Sequence, residues 1–129
     1  MTETGEVAAV LDWELCTLGD VLSDLAAIIS YSNDLTGMET QAMSVEGFPN
    51  PDEVRNLYGN LSERDLSKLD FYIAFAYWRL ACILEGVYTR YAAGVMGSEA
   101  DAAAIQIFGE RVLLLIDLAD STFQDFLKE

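Results

Sequence analysis

Hydrophobic residues return at intervals of three and four over most of the chain, and that pattern predicts helices. Leu22, Leu25, Ala26 and Ile29 form one stripe, and Ile105, Phe108, Val112, Leu115 and Ala119 form another. Polar residues punctuate these stripes where helices should begin. Asp20, directly after Gly19, is placed to accept the orphan N–H groups of a first turn. Asn50, Pro51 and Glu53 make a capping box with proline at the first helical position. Ser67 and Asp70 make an S-x-x-D box flanked by Leu66 and Phe71, opening a third helix expected to run to about Ala92 and stop at Gly94. Ser98 and Asp101 open the last. Before the first helix, "EVAAVLDW" (residues 6–13) has the Val-rich look of a short strand that ends where the carboxylates begin. Residues 33–50 carry Gly37, Gly47 and Pro49 without a sustained period, and are expected to be a mobile loop. The expectation is a single helical domain, residues 1–129, mainly α with one short N-terminal β-strand.

Composition sharpens this in two ways. At 52% hydrophobic, the 129-residue chain is rich enough to fold, and too short for two ordinary domains. Its apolar run "FYIAFAYWRLACIL" (residues 71–84) falls short of the roughly 20 residues that span a bilayer and is broken by Arg79, so it is expected to be a buried helix. The aromatic residues Phe71, Tyr72, Phe75, Tyr77 and Trp78 are then expected in the core. The neighbours of Arg79 at three and four residues, Phe75, Ala76, Cys82 and Ile83, cannot pair with it. If its head is buried, it needs a carboxylate from elsewhere, with Asp24 and Glu14 as candidates; otherwise its stem packs while its head reaches water.

Charge narrows the partners. Seven basic residues against 22 acidic ones leave a net −15, which repels phosphate backbones and anionic lipid surfaces and excludes nucleic acid and membrane as partners. Cys16 and Cys82 show no CxxC spacing, so two reduced thiols and no metal clip are expected. The opening "MTETGEV" lacks a basic n-region leading into an apolar stretch, and a cytoplasmic location is expected.

The stretch "VLDWELCTLGDVLSDLA" (residues 10–26) resembles a signature of the aminoglycoside phosphotransferase family of kinase-like enzymes, in the branch found beside or fused to acyl-CoA dehydrogenases. Leu11, Asp12, Trp13, Glu14, Thr17, Leu18, Gly19, Asp20, Asp24, Leu25 and Ala26 carry the match. Residues 70–94 are similar to the long central helix of those enzymes. The resemblance implies a helical C-lobe remnant of a protein-kinase-like phosphotransferase. It implies that Asp12 holds magnesium on the phosphates of ATP, since a hard cation takes carboxylate and phosphate oxygens. It assigns Asp20 and Asp24 to bracing the helix and the neighbouring catalytic loop, while Glu14 and Arg79 are expected to be structural from the ion-pair reading above.

The family's transfer chemistry also needs a His-Gly-Asp loop, whose Asp takes the proton of the attacking hydroxyl, and a lysine on the nucleotide phosphates. The chain contains no histidine, and no lysine precedes Lys68. Met1 is expected to stand just after the point where that loop would end. No catalytic residue and no bound cofactor are therefore expected for the chain alone. The leading expectation is a catalytically incomplete phosphotransferase-like C-terminal domain that self-associates as a dimer. One alternative is a chain of a split small-molecule kinase, whose partner chain supplies the nucleotide lobe and the His-Gly-Asp loop. Another is an acidic helical adaptor.

Overall fold

The computed structural model describes residues 4–11, 18–32, 45–95 and 102–128. Four helices follow one another: α1 (Leu22–Ser32), α2 (Pro51–Leu61), α3 (Leu69–Ala92) and α4 (Ala102–Phe126). The fold is mainly α. Two long helices, α3 and α4, pack antiparallel along most of their length, bringing Phe71 near Phe123 at one end and Tyr91 near Phe108 at the other. The shorter α1 lies across α3, and α2 touches α1.

The stripes predicted from spacing supply the core, except Ile105, which lines a surface pocket instead. Leu22, Leu25, Ala26 and Ile29 of α1 are buried against α3, whose Leu69, Ile73, Ala76, Tyr77, Leu80 and Leu84 share one cluster with Val112 and Leu115 of α4. Phe108 and Ala119 are partly buried at the edge of this cluster. Leu69, Leu80 and Leu115 are almost wholly removed from solvent, and each stabilises the fold by about 1.5–3 kcal/mol relative to an exposed position.

Helix ends follow local chemistry where that chemistry is unopposed. Asn50 Oδ1 accepts from the Glu53 N–H at 3.0 Å while the Asn50 N–H donates to Glu53 Oε2 at 2.8 Å, completing the box before Pro51. At the end of α3, Gly94 takes φ +69°, and the N–H groups of Gly94 and Val95 donate to the carbonyls of Tyr91 and Arg90. This is a Schellman closure, and only a residue without a Cβ enters it unstrained.

Three expectations are corrected. Residues 6–11 form no strand, and Val7, Val10 and Leu11 are 62–80% exposed; a strand needs a neighbouring strand to take its backbone groups, and no strand is present among the described residues. The Ser67–Asp70 box does not form. Ser67 donates both its N–H and its hydroxyl to Asp65 at 2.9 Å, Lys68 caps α3 without a side-chain bond, and Asp70 pairs with Arg55 of α2. An ion pair across two helices outcompetes a local cap here, because it satisfies both carboxylate oxygens at once.

The third correction concerns residues 71–84. Of the five aromatics expected in the core, Tyr77 is buried and Tyr72 half-buried, but Phe71, Phe75 and Trp78 are 41%, 42% and 54% exposed. The reason is geometric. α1 and α4 cover two sides of α3, and no described helix covers the third. Ser98 and Asp101 lie outside the described residues, as does the loop from residue 33 to 44.

Candidate functional site

The described end of the opening motif, residues 18–26, is built around Asp20. Its Oδ1 accepts the Leu22 N–H at 3.0 Å, and its carbonyl accepts the Ser23 N–H at 3.0 Å, so the residue caps α1 as its position after Gly19 suggested. Its second oxygen, Oδ2, accepts the Tyr72 hydroxyl of α3 at 3.1 Å. That bond favours the protonated phenol, and with partial desolvation and the nearby negative charge it raises the Tyr72 pKa above 10.0. Asp20 therefore fastens the start of α1 to the first turn of α3, a link across 52 residues that no sequence pattern announced.

Next to Asp20 opens a polar cleft of about 410 Å³, lined by Asp20, Leu22, Arg64, Asp65 and Lys68. Two of the chain's seven basic residues stand here. Asp65 accepts the Ser67 N–H and hydroxyl, which hold its carboxyl below the usual value, with Lys68 adding to the effect. The cleft thus holds two cations and two carboxylates, each carboxylate already accepting hydrogen bonds from the protein.

Asp12 and Glu14 lie outside the described residues. Among the described residues, no group of three or more Cys, Asp or Glu side chains is gathered to hold a metal ion. Both oxygens of Asp20 accept hydrogen bonds from the protein, which braces the start of α1.

Asp24 and Arg79 are both exposed, and no ion pair joins them. Arg79 stands on the uncovered side of α3 beside Trp78, Cys82 and Ile83, which are also exposed. Of the two arrangements open to it, a buried paired head or a solvated one, exposure favours the second. Cys82 is a free thiol, and Cys16 lies outside the described residues. Among the described residues no helix is long and apolar enough to cross a membrane.

Comparison with known proteins bears on the motif directly. Residues 1–57 match the family described as the phosphotransferase enzyme family. Acyl-CoA dehydrogenase family member 10 of Mus musculus is 36% identical over 124 residues, covering 91% of this chain and 11% of that protein. Acyl-CoA dehydrogenase family member 11 of Homo sapiens is 36% identical over 99 residues, covering 72% of this chain and 13% of that protein. The chain thus spans about a tenth of the length of these curated relatives. No solved structure matches it.

Proposed function

We infer that this chain, which carries over residues 1–57 part of a phosphotransferase-family domain, forms the helical C-lobe side of a small-molecule phosphotransferase site and does not transfer phosphate by itself. The observation that carries the reading is the Leu-Asp-Trp-Glu and Thr-Leu-Gly-Asp pair in a chain without a single histidine. Asp12 would hold magnesium on the phosphates of ATP, and the ion would neutralise charge that develops on the transferred group. Glu14, Asp20 and Asp24 would have structural roles; Asp20 caps α1 and accepts the Tyr72 hydroxyl. A proton acceptor for the attacking hydroxyl must come from outside this sequence, since one magnesium carboxylate does not stabilise a phosphoryl transition state.

The cleft beside Asp20 supports a second reading, in which another polypeptide completes a split small-molecule kinase. Arg64 and Lys68 give a net acidic chain two cations beside Asp20 of the motif, and cations suit phosphate oxygens. Phosphoryl transfer on mixing with a chain that supplies the His-Gly-Asp loop would establish it. In either reading the chain works in the cytoplasm and forms a two-fold dimer, through residues 6–11 or through the apolar stripe of the last helix.

Calorimetry with magnesium and ATP on the chain tests the first reading, with light scattering on the same sample. The expected outcome is no saturable binding near physiological nucleotide concentrations and a mass above the 14.2 kDa of one chain. A micromolar binding constant abolished by Asp12→Ala would overturn the incomplete-site reading. A mass of one chain that does not rise with concentration would remove the dimer.

A further inference from the structure

The side of the α3–α4 seam that no described helix covers is more than scattered exposed residues. Three pockets of about 340, 360 and 550 Å³ follow one another along it. The first two share Trp78 and Ile116, and the second and third share Glu85 and Val112, so they form one groove. From Phe71 to Tyr88 the groove follows about 17 residues of α3, roughly 26 Å at the rise of an α-helix. Its walls are apolar and aromatic. Phe71, Phe75 and Trp78 stand on one side, with Ile116 and Phe123 on the other.

The charged side chains lining all three pockets are Glu85, Glu110 and Asp120, and every one is acidic. That restricts the occupant. A second copy would set the same acids against one another, and like charges beside desolvated apolar surface oppose such contact. A helix with apolar anchors on one face and Lys or Arg along its borders satisfies both features together, and the length matches a helix of about 17 residues. We propose that the α3–α4 groove is a docking site for a cationic amphipathic helix of a partner protein. This inference does not rest on the phosphotransferase reading.

The test uses an 18-residue Leu/Lys peptide with leucines at helical spacing, a Leu/Glu peptide of the same pattern, and the Trp13→Phe chain, in which Trp78 is the sole tryptophan. The Leu/Lys peptide should bind saturably, shift Trp78 emission to the blue, and leave the Leu/Glu peptide without effect. E85K/E110K/D120K should weaken the Leu/Lys peptide at least about tenfold, a loss of about 1.4 kcal/mol, and admit the Leu/Glu peptide. E46K/D52K/E63K makes the same change of net charge away from the groove and should keep affinity within about threefold. Equal loss in both triple variants would reduce the binding to bulk charge attraction and overturn the proposal. So would an unmoved Trp78, or Trp78 emission already blue and concentration-dependent without peptide, which would identify a second copy as the occupant. Circular dichroism of each variant separates loss of fold from loss of binding.

Discussion

Both faces of α3 carry large hydrophobic residues, and their fates are opposite. One face sets Leu69, Ile73, Tyr77, Leu80 and Leu84 into the core, and the other presents Phe71, Phe75, Trp78 and Ile83 to solvent at 41–54% exposure. Side-chain chemistry does not separate them, since the aromatic residues are larger and bury more area when covered. What separates them is the supply of neighbours. α1 and α4 bring matching stripes to the first face, whereas α4 only borders the second, where Ile116 and Phe123 leave Phe71, Phe75 and Trp78 partly open. An apolar stretch in a sequence states how much surface must avoid water, and leaves open whether the chain itself provides the cover.

The largest expected effect tests this contrast directly. Leu80→Ala removes a side chain that is 1% exposed and should cost about 2–5 kcal/mol in urea unfolding, because the surrounding helices close only partly on the cavity. Trp78→Ala, two residues earlier, removes a far larger group that is 54% exposed, and should cost the free chain less than about 1 kcal/mol. Comparable losses would mean that the outer face is covered in solution, and with it that the groove is already filled.

Much of the fold was legible because its signals are local. Stripe spacing, the Asn50–Glu53 box, the Asp20 cap and the Gly94 stop each depend on residues within one or two turns, and each appears in the structure. The features that escaped depend on partners distant in sequence. Asp70 looked like a cap until Arg55, 15 residues earlier, claimed it. The strand at residues 6–11 depended on a neighbour that its own residues do not encode. At the candidate site, the motif identified Asp20 as structural, but its bond to Tyr72 needed the packing of α1 on α3. Asp12 and Glu14 lie outside the described residues, so their roles rest on the motif.

Arg79 offers a smaller test of the same contrast, since it shares the open face. Replacing it with Met keeps most of the stem volume and removes the charge. A solvated guanidinium should yield a change within about 0.5 kcal/mol in urea unfolding, whereas a head paired inside the core would strand its carboxylate and cost about 3–5 kcal/mol. The exposure of Arg79 predicts the former. A loss of several kilocalories would show that the outer face hides an ion pair.

The smallest effect is read from pH at the border between the two faces. Tyr72 is half-buried, with its ring edge-on to Phe71 at 5.3 Å and its hydroxyl on Asp20. Because the phenol donates that bond and the phenolate would face a carboxylate, folding favours the protonated form, and the Tyr72 pKa is raised above 10.0. A group with a raised folded pKa adds stability that is fully present below its unfolded value and is lost as pH rises through the folded one. Tyr72→Phe should therefore lower the urea midpoint slightly at neutral pH, and the gap to the parent chain should close as pH climbs beyond 10. The other five tyrosines ionise in both proteins and cancel in the difference. Asp20→Asn should bring the Tyr72 titration, followed by ultraviolet absorbance, back toward its ordinary value. If the two unfolding curves stay parallel across the alkaline range, the bond between α1 and α3 does not form in solution, and the motif's start is not fastened to the long helix.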